Sequence, residues 1–380
     1  MRRTHLISLA ALLLWSGAAT ERVGAQPDAC FWRERSATPR PSARTYHAMA
    51  YDSARGVTVL FGGWAGSARS AETWEWNGSA WTLRGPTGPS PRAWHAMAYD
   101  SARGVTVLFG GDTGSGSSAE TWEWNGSAWT PRATTGPSAR AGHAMAYDSA
   151  RGVTVLFGGA SAGDETWEWS GSAWALRATT GPSMRFGHGM AYDSARGLTV
   201  LFGGFTRVGF YSAETWEWNG SAWTLWATTG PSGRSGHAMP YDSARSVAVL
   251  FGGYTSSGRS AETWEWNGSA WTLRAAAGPS ARYGHAMAYD SAGGVTVLFG
   301  GYTGSAYNAE TWLLWCGRPG DLNCDGAINN FDIDPFVLAL TDPVGYAKQF
   351  PNCDRMLADV NGDGVVDNFD IDPFVKLLAP

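Results

Sequence analysis

One passage is written six times along this chain, at steps of 45 to 49 residues, and no other feature restricts its fold so sharply. A representative copy, Ser138 to Arg177, reads SARAGHAMAYDSARGVTVLFGGASAGDETWEWSGSAWALR. Near-identical copies place His47, His95, His143, His188, His237 and His285 at the same point. A unit of this size cannot bury its own apolar face, so the copies must share a core by stacking.

Each copy divides into four short strands. HAMAYD alternates in polarity, and Ser-Ala-Arg-Gly makes a turn. VTVLF is an unbroken β-branched and apolar run, as expected of a strand covered on both faces. Two glycines end it, and after a loop of variable length ETWEW alternates again. Asn-Gly follows at Asn77-Gly78, Asn125-Gly126, Asn219-Gly220 and Asn267-Gly268. That pair predicts a tight hairpin with both residues at positive φ. AWTLR supplies the fourth strand. Four antiparallel strands per repeat and no helix describe an all-β propeller blade.

The double glycine, the later tryptophans and the period together resemble the kelch repeat over about residues 28 to 316. A WD40 pattern is the near alternative, since Gly142-His143 begins a unit there too, but Trp167-Glu168 stands where Trp-Asp belongs. Both imply a propeller, here of six blades. An open solenoid is disfavoured by the ends. The sixth copy stops at Trp315-Cys316 without a fourth strand, and Cys30-Phe31-Trp32-Arg33 supplies the missing piece at the front. The N-terminal strand is therefore expected to complete the last blade and hide both edges. Aligned to the first copy, Cys316 takes the place of Gly78 and Cys30 that of Ser79, so a Cys30–Cys316 disulfide is expected at the hairpin tip. Cys324 and Cys353 then form the second pair.

Repetition argues for structural roles. One His, one Arg (Arg44, Arg92, Arg140, Arg185, Arg234, Arg282) and one Glu (Glu72, Glu120, Glu165, Glu214, Glu262, Glu310) per copy suggest a recurring hydrogen bond and a recurring ion pair. Six histidines spread around a ring do not form one metal cluster. The Asn-Gly-Ser triplets also match glycosylation sequons. Binding is expected where the copies differ, in the loops after the double glycine and just before the histidines. Candidate ligand-binding residues are Trp64, Trp94, Phe205, Arg207, Tyr254 and Tyr302, with a glycan or a protein as the ligand. No catalytic residue is expected. The cysteine of the galactose-oxidase copper site has no counterpart in the repeats, Asp boxes are absent, and no Ser-His-Asp arrangement stands out from the sixfold background.

Arg2 and Arg3, the apolar run from Leu6 to about Trp15, and Val23-Gly24-Ala25 read as a signal peptide over residues 1–25. The run is too short to span a bilayer. A secreted or cell-surface location follows as the expectation, and it permits disulfides. The net charge of −5 gives no reason to expect nucleic acid. The acid is concentrated. From Gly320 to Pro380 eleven Asp face Lys348, Arg355 and Lys376, a net of −8.

That acidic segment contains two twelve-residue calcium loops in one register. Oxygen donors fall at Asp321, Asn323, Asp325, Asn329 and Asp332, and at Asp359, Asn361, Asp363, Asp367 and Asp370. The backbone carbonyls of Ala327 and Val365 serve at position 7, and glycine takes the turn at position 6. NFDIDPFV follows each loop and predicts a short helix with Pro335 or Pro373 in its first turn. Residues 320 to 379 resemble a dockerin. The resemblance implies two calcium ions and docking onto a cohesin-like extracellular protein through positions 10 and 11, here Asn330-Phe331 and Asn368-Phe369. Familiar dockerins carry small polar or aliphatic residues at those two positions, so this pair is a departure.

The expected organisation is a signal peptide (1–25), a six-bladed kelch-like propeller (26–317) and a small α-helical calcium module (318–380). The expected function is non-catalytic binding with attachment through the module. An extracellular enzyme with its site in the propeller mouth, or a structural envelope protein, are the alternatives.

Overall fold

The computed structural model describes residues 29–85, 87–133, 135–160, 163–274, 278–317, 319–324, 327–350, 353–361 and 365–378. The expected signal peptide and the candidate ligands Asp325 and Asp363 lie outside the described residues. Two compact units emerge, one of Cys30–Cys316 and one that holds Gly317–Pro380.

In the larger unit each repeat folds into a four-stranded antiparallel sheet. The first is made of Ala48–Asp52, Val57–Phe61, Thr73–Trp76 and Trp81–Leu83, paired in sequence order. Six such sheets are present among the described residues. Their first strands touch in cyclic order, and Ala286–Asp290 of the sixth returns to Ala48–Asp52 of the first. The fold is propeller-like and all-β. In the fifth sheet the first strand shrinks to Tyr241–Asp242, because Pro240 replaces an alanine and has no N–H to give the ladder.

The apolar run explains how the sheets adhere. Val59 and Phe61 pack with Met97, Leu108 and Trp129 of the second sheet, while Leu60 packs with Ala286, Val297 and Phe299 of the sixth. Alternate side chains thus bury opposite faces, which is why no polar residue but threonine interrupts the run. A cycle of six tryptophan-to-threonine hydrogen bonds links the sheets as well. Trp129 Nε1 donates to Thr73 Oγ1 at 2.8 Å, and Trp81 closes the cycle onto Thr311 at 2.9 Å.

The double glycine has a steric reason. A Cβ on Gly62 would lie 2.7 Å from the Arg92 carbonyl oxygen and 2.8 Å from His95 Cε1, and its φ is +69°. No other residue fits where the neighbouring sheet's histidine approaches so closely.

The hairpin tips differ from expectation. Trp76 pairs with Trp81, so the loop has four residues, closed by Asn77 N–H donating to the Ala80 carbonyl. Asn77 Oδ1 accepts from the amides of Ser79 and Ala80. The asparagine acts as a turn cap, and only Gly78, at φ +91°, is left-handed.

The sixth sheet is assembled from both ends of the unit. Ala286–Asp290, Val295–Phe299 and Thr311–Gly317 are joined by the N-terminal strand Ala29–Arg35 as the fourth member. Trp32 there donates to Thr263 and so takes its place in the tryptophan cycle. Cys30 and Cys316 form a disulfide across 286 residues of chain.

The smaller unit is helical. Each NFD triplet makes a 3-10 turn, Asn330–Asp332 and Asn368–Asp370, which leads into α1 (Ile333–Thr341) or α3 (Ile371–Leu378). Between them lies α2 (Pro343–Gln349), which the sequence pattern did not suggest. Phe336 and Phe374 hold equivalent positions in the two halves and stack at 4.0 Å with 5° between planes. Cys324–Cys353 is the second disulfide, and the buried Tyr346 hydroxyl donates to the Leu322 carbonyl. No helix among the described residues is long and apolar enough to cross a membrane.

Candidate functional site

The residues that precede the six histidines meet at the axis of the larger unit. Trp94 N–H donates to the Tyr46 carbonyl, Gly142 to Trp94, Gly187 to Gly142, Gly236 to Gly187, Gly284 to Gly236, and Tyr46 to Gly284. The six bonds, 2.6 to 2.9 Å long, form a closed cycle in which every donor and acceptor is used. All six residues are left-handed, with φ from +55° at Tyr46 to +73° at Gly142. Glycine reaches this region freely. For Tyr46 and Trp94 it costs roughly 1–2 kcal/mol each. Their side chains stack on one another with centroids 3.5 Å apart and 18° between planes. Trp94 lies over Gly142 and Gly187 at ordinary contact distance, and Tyr46 lies so close to Gly284 that an added Cβ would come within 2.8 Å of its ring.

The stack anchors a longer aromatic chain. Trp94 meets Phe186, Phe186 meets Phe205, and Phe205 meets Tyr211. Tyr211 meets Tyr254, Tyr254 meets Tyr283, and Tyr283 meets both Tyr302 and Tyr46. Successive centroids lie between 5.1 and 6.4 Å apart. Small antiparallel pairs set this spacing, Phe186 opposite Phe205 and Tyr283 opposite Tyr302. In the third sheet the same pair is Ala141 and Ala160, so the array is lopsided.

Of the six candidate ligand residues, Trp94, Phe205, Tyr254 and Tyr302 belong to this array. Trp64 does not. Arg69 lies 4.2 Å over its ring and is itself held by Asp112 at 2.6 Å, so that face is already covered. Arg207 is exposed on its loop. Tyr46, Phe186 and Tyr283 fall in the variable stretch just before the histidines, and Tyr211 in a loop after the double glycine, so all four lie where binding is expected, although they are not among the six named contacts. The signal at Tyr46 is an aromatic residue in a slot where four copies carry glycine.

A cavity of about 100 Å³ on the axis is lined by the Tyr46–Trp94 pair, the four glycines and the six histidines. The histidines are neutral. Burial pushes His95, His188 and His285 down to about 3 and lowers the other three well below the ordinary value. His95 Nε2 lies 3.1 Å from the Phe61 carbonyl oxygen of the preceding sheet. The recurring ion pair is present in all six copies, Arg44–Glu72 through Arg282–Glu310, and each arginine is fully buried. Burial is the largest single influence on the Glu72 carboxyl and would raise it, but the hydrogen bonds from Arg44, Trp74 and Ser70 and the charge of Arg44 together leave the group below its usual range.

A second ionic relay was not foreseen. In the first sheet Arg55 bridges Asp52 and Glu75, and Arg84 also reaches Glu75. Glu75 then accepts from Trp124 Nε1 of the next sheet at 3.0 Å. These groups are cross-braces between sheets.

In the smaller unit the acidic loops keep strict correspondence. Asp332 Oδ1 accepts from the amides of Leu322 and Asn323, and Oδ2 from Asn329. Asp370 repeats this with Val360, Asn361 and Asp367. Position 12 therefore holds the loop backbone, and each Oδ2 keeps a second lone pair. Asn329 and Asp367 at position 9 cap the following turn. Asp321, Asp332, Asp359 and Asp370 are all buried, Asn323, Asn329 and Asp367 are half-buried, and Ala327, Asn361 and Val365 are exposed. Buried carboxylates among carbonyl and amide oxygens are the donor types that a hard divalent cation takes. Phe331 and Phe369 are each 77% exposed, beside the exposed Asn330 and Asn368.

No known family model matches this chain, and no curated protein matches it.

Proposed function

We propose that this is a secreted, non-catalytic binding protein. Its larger unit is read as a six-bladed kelch-type propeller that binds a glycan or a protein at the aromatic mouth. Its smaller unit is read as a dockerin-like module that attaches it to a cohesin-like or other extracellular partner. The linked aromatic rings at the axis carry this reading. Aromatic residues contributed by five sheets converge on one mouth, and the fold needs only glycine at two of those positions.

For the module, the support is the paired loop and the paired exposed phenylalanine. Calcium would be held by Asp321, Asn323, Asn329 and Asp332, and by Asp359, Asn361, Asp367 and Asp370, with the carbonyls of Ala327 and Val365. It would neutralise buried carboxylates and brace the loops that set Phe331 and Phe369 outward. The basic-then-apolar start of the sequence and the two disulfides support export.

The test is an array of glycans and secreted proteins probed with the full chain, in calcium and in EDTA, beside elemental analysis. The expected result is about two calcium per chain, a glycan or protein retained in both conditions, and a further partner lost in EDTA. An array blank in both conditions would sink the binding role. Copper or zinc in the larger unit would favour an enzyme instead.

A further inference from the structure

The two aromatic residues in the axial cycle do nothing that the cycle requires. Gly142, Gly187, Gly236 and Gly284 make the same hydrogen bonds with the same left-handed backbone. Tyr46 and Trp94 reach that backbone only under strain, and strain of this kind is kept where the surroundings or a function demand it. What the two side chains add is a half-buried stack over the axis, continuous with the array from Phe186 round to Tyr302.

The chemistry of the floor narrows the ligand. Its six amides are all spent within the cycle, so a peptide laid across the axis finds no free main-chain donor there. At the rim Arg69 and Asp112 are closed on each other, while the exposed Arg259 stands opposite Tyr254. Most of the surface is ring faces, which carry negative potential and attract polarised C–H groups, and phenolic hydroxyls, which donate and accept, with the guanidinium of Arg259 as a further donor at the edge. A pyranose has the complementary surface, with C–H groups on its face and hydroxyls on its edge.

We propose that the Tyr46–Trp94 stack is a carbohydrate platform on which one pyranose ring of an oligosaccharide lies flat, with the tyrosines of the array at its rim. This rests on the binding role proposed above and narrows it to one ligand class and one place. Tyr46, outside the six contacts named from sequence but within the variable stretch before the histidines, is then a primary contact, and Trp64 is a bystander.

The test restores the majority residue. Full-length protein, Tyr46→Gly, Trp94→Gly, the double variant and Trp64→Ala are titrated calorimetrically with cellohexaose, xylohexaose and mannohexaose, and each is melted. The expected result is that at least one hexaose binds the parent, and that each glycine variant binds it at least tenfold more weakly. Thermal stability should be undiminished, since relief of strain offsets the lost contacts, and Trp64→Ala should bind as the parent does. Lower stability in both glycine variants would assign the pair to plugging the axis and overturn the proposal. Parent affinity kept by the double variant would overturn it too, while leaving a binding role elsewhere on the mouth intact. If the parent takes none of the hexaoses but retains a protein on the array, the ligand class is wrong and the binding role stands. Silence from every probe removes both.

Discussion

Five sheets of the larger unit are continuous in sequence, and the sixth is sewn together from both ends. They solve the same problem differently. In the first sheet Asp52, Arg55, Glu75 and Arg84 form a relay, and the second, third and fifth repeat it in full. The fourth keeps Arg196 with Asp193 and Glu217 but has Trp226 in place of the last arginine. In the sixth sheet Gly293 replaces the bridging arginine and Leu313 replaces the glutamate, in the same register opposite Val297. Arginine and glutamate are gone together, and the buried Asp290 that stays behind is held by the amides of Ala292 and Gly293 instead. One trace remains. Trp76 Nε1, whose counterpart Trp124 donates to Glu75, is buried without an acceptor among the described residues. The lesson is that the relay is one way of holding the third strand to its neighbours, and a leucine with a disulfide nearby is another.

Acid attacks what all six sheets share and should have the largest effect. Each histidine has its folded pKa lowered by burial, so the unfolded chain binds protons first as pH falls. The stability this contributes is complete above about pH 6.5 and is lost as the pH drops toward 3. Melting followed by circular dichroism should show Tm falling by on the order of 10 °C between pH 7.5 and 5.0. A flat profile would mean that the rings are not neutral and buried together.

Cutting the seam comes next. Cys30→Ser with Cys316→Ser should lower unfolding free energy by up to about 5 kcal/mol, since the bond closes so long a loop. Denaturant titration in calcium measures it, and an unchanged midpoint would show that strand pairing alone seals the sixth sheet.

Interchanging the two solutions should cost somewhat less. Glu123→Leu leaves Arg103 and Arg132 facing a leucine and should destabilise by about 3 kcal/mol. Leu313→Glu should cost a similar amount alone, and Gly293→Arg in the same chain should recover most of it. Additive losses in that double variant would show that the two sites do not communicate.

The smallest effect reads the trace at Trp76. Trp124→Phe gives up a hydrogen bond to a carboxylate and should cost about 1.5 kcal/mol more than Trp76→Phe, which gives up none. Equal midpoint shifts in parallel denaturant melts would remove the distinction.

Much of this architecture was legible because repetition supplies its own alignment. The four strands, the completion of the last sheet by Cys30–Arg35 and the pairing of Cys30 with Cys316 follow from laying the copies side by side. The Arg44–Glu72 series follows in the same way. The axial cycle was not legible. Tyr46 and Gly284 lie far apart in the chain, and their hydrogen bond exists only because six left-handed residues meet at one point. Nor could Trp64 be set aside, because Arg69 covers it through a turn whose geometry the sequence does not state. In the acidic loops the donor pattern was plain, but the backbone-holding task of Asp332 and Asp370 needed coordinates.

Because the first and last strands of the larger unit lie side by side and are covalently tied, its termini have no privileged position. Linking them by a short peptide and opening the chain at an exposed Asn-Gly tip, such as Asn125-Gly126, would give a circular permutant with the same sheets. The point at which the ring of sheets is opened can thus be shifted by engineering from one sheet to another.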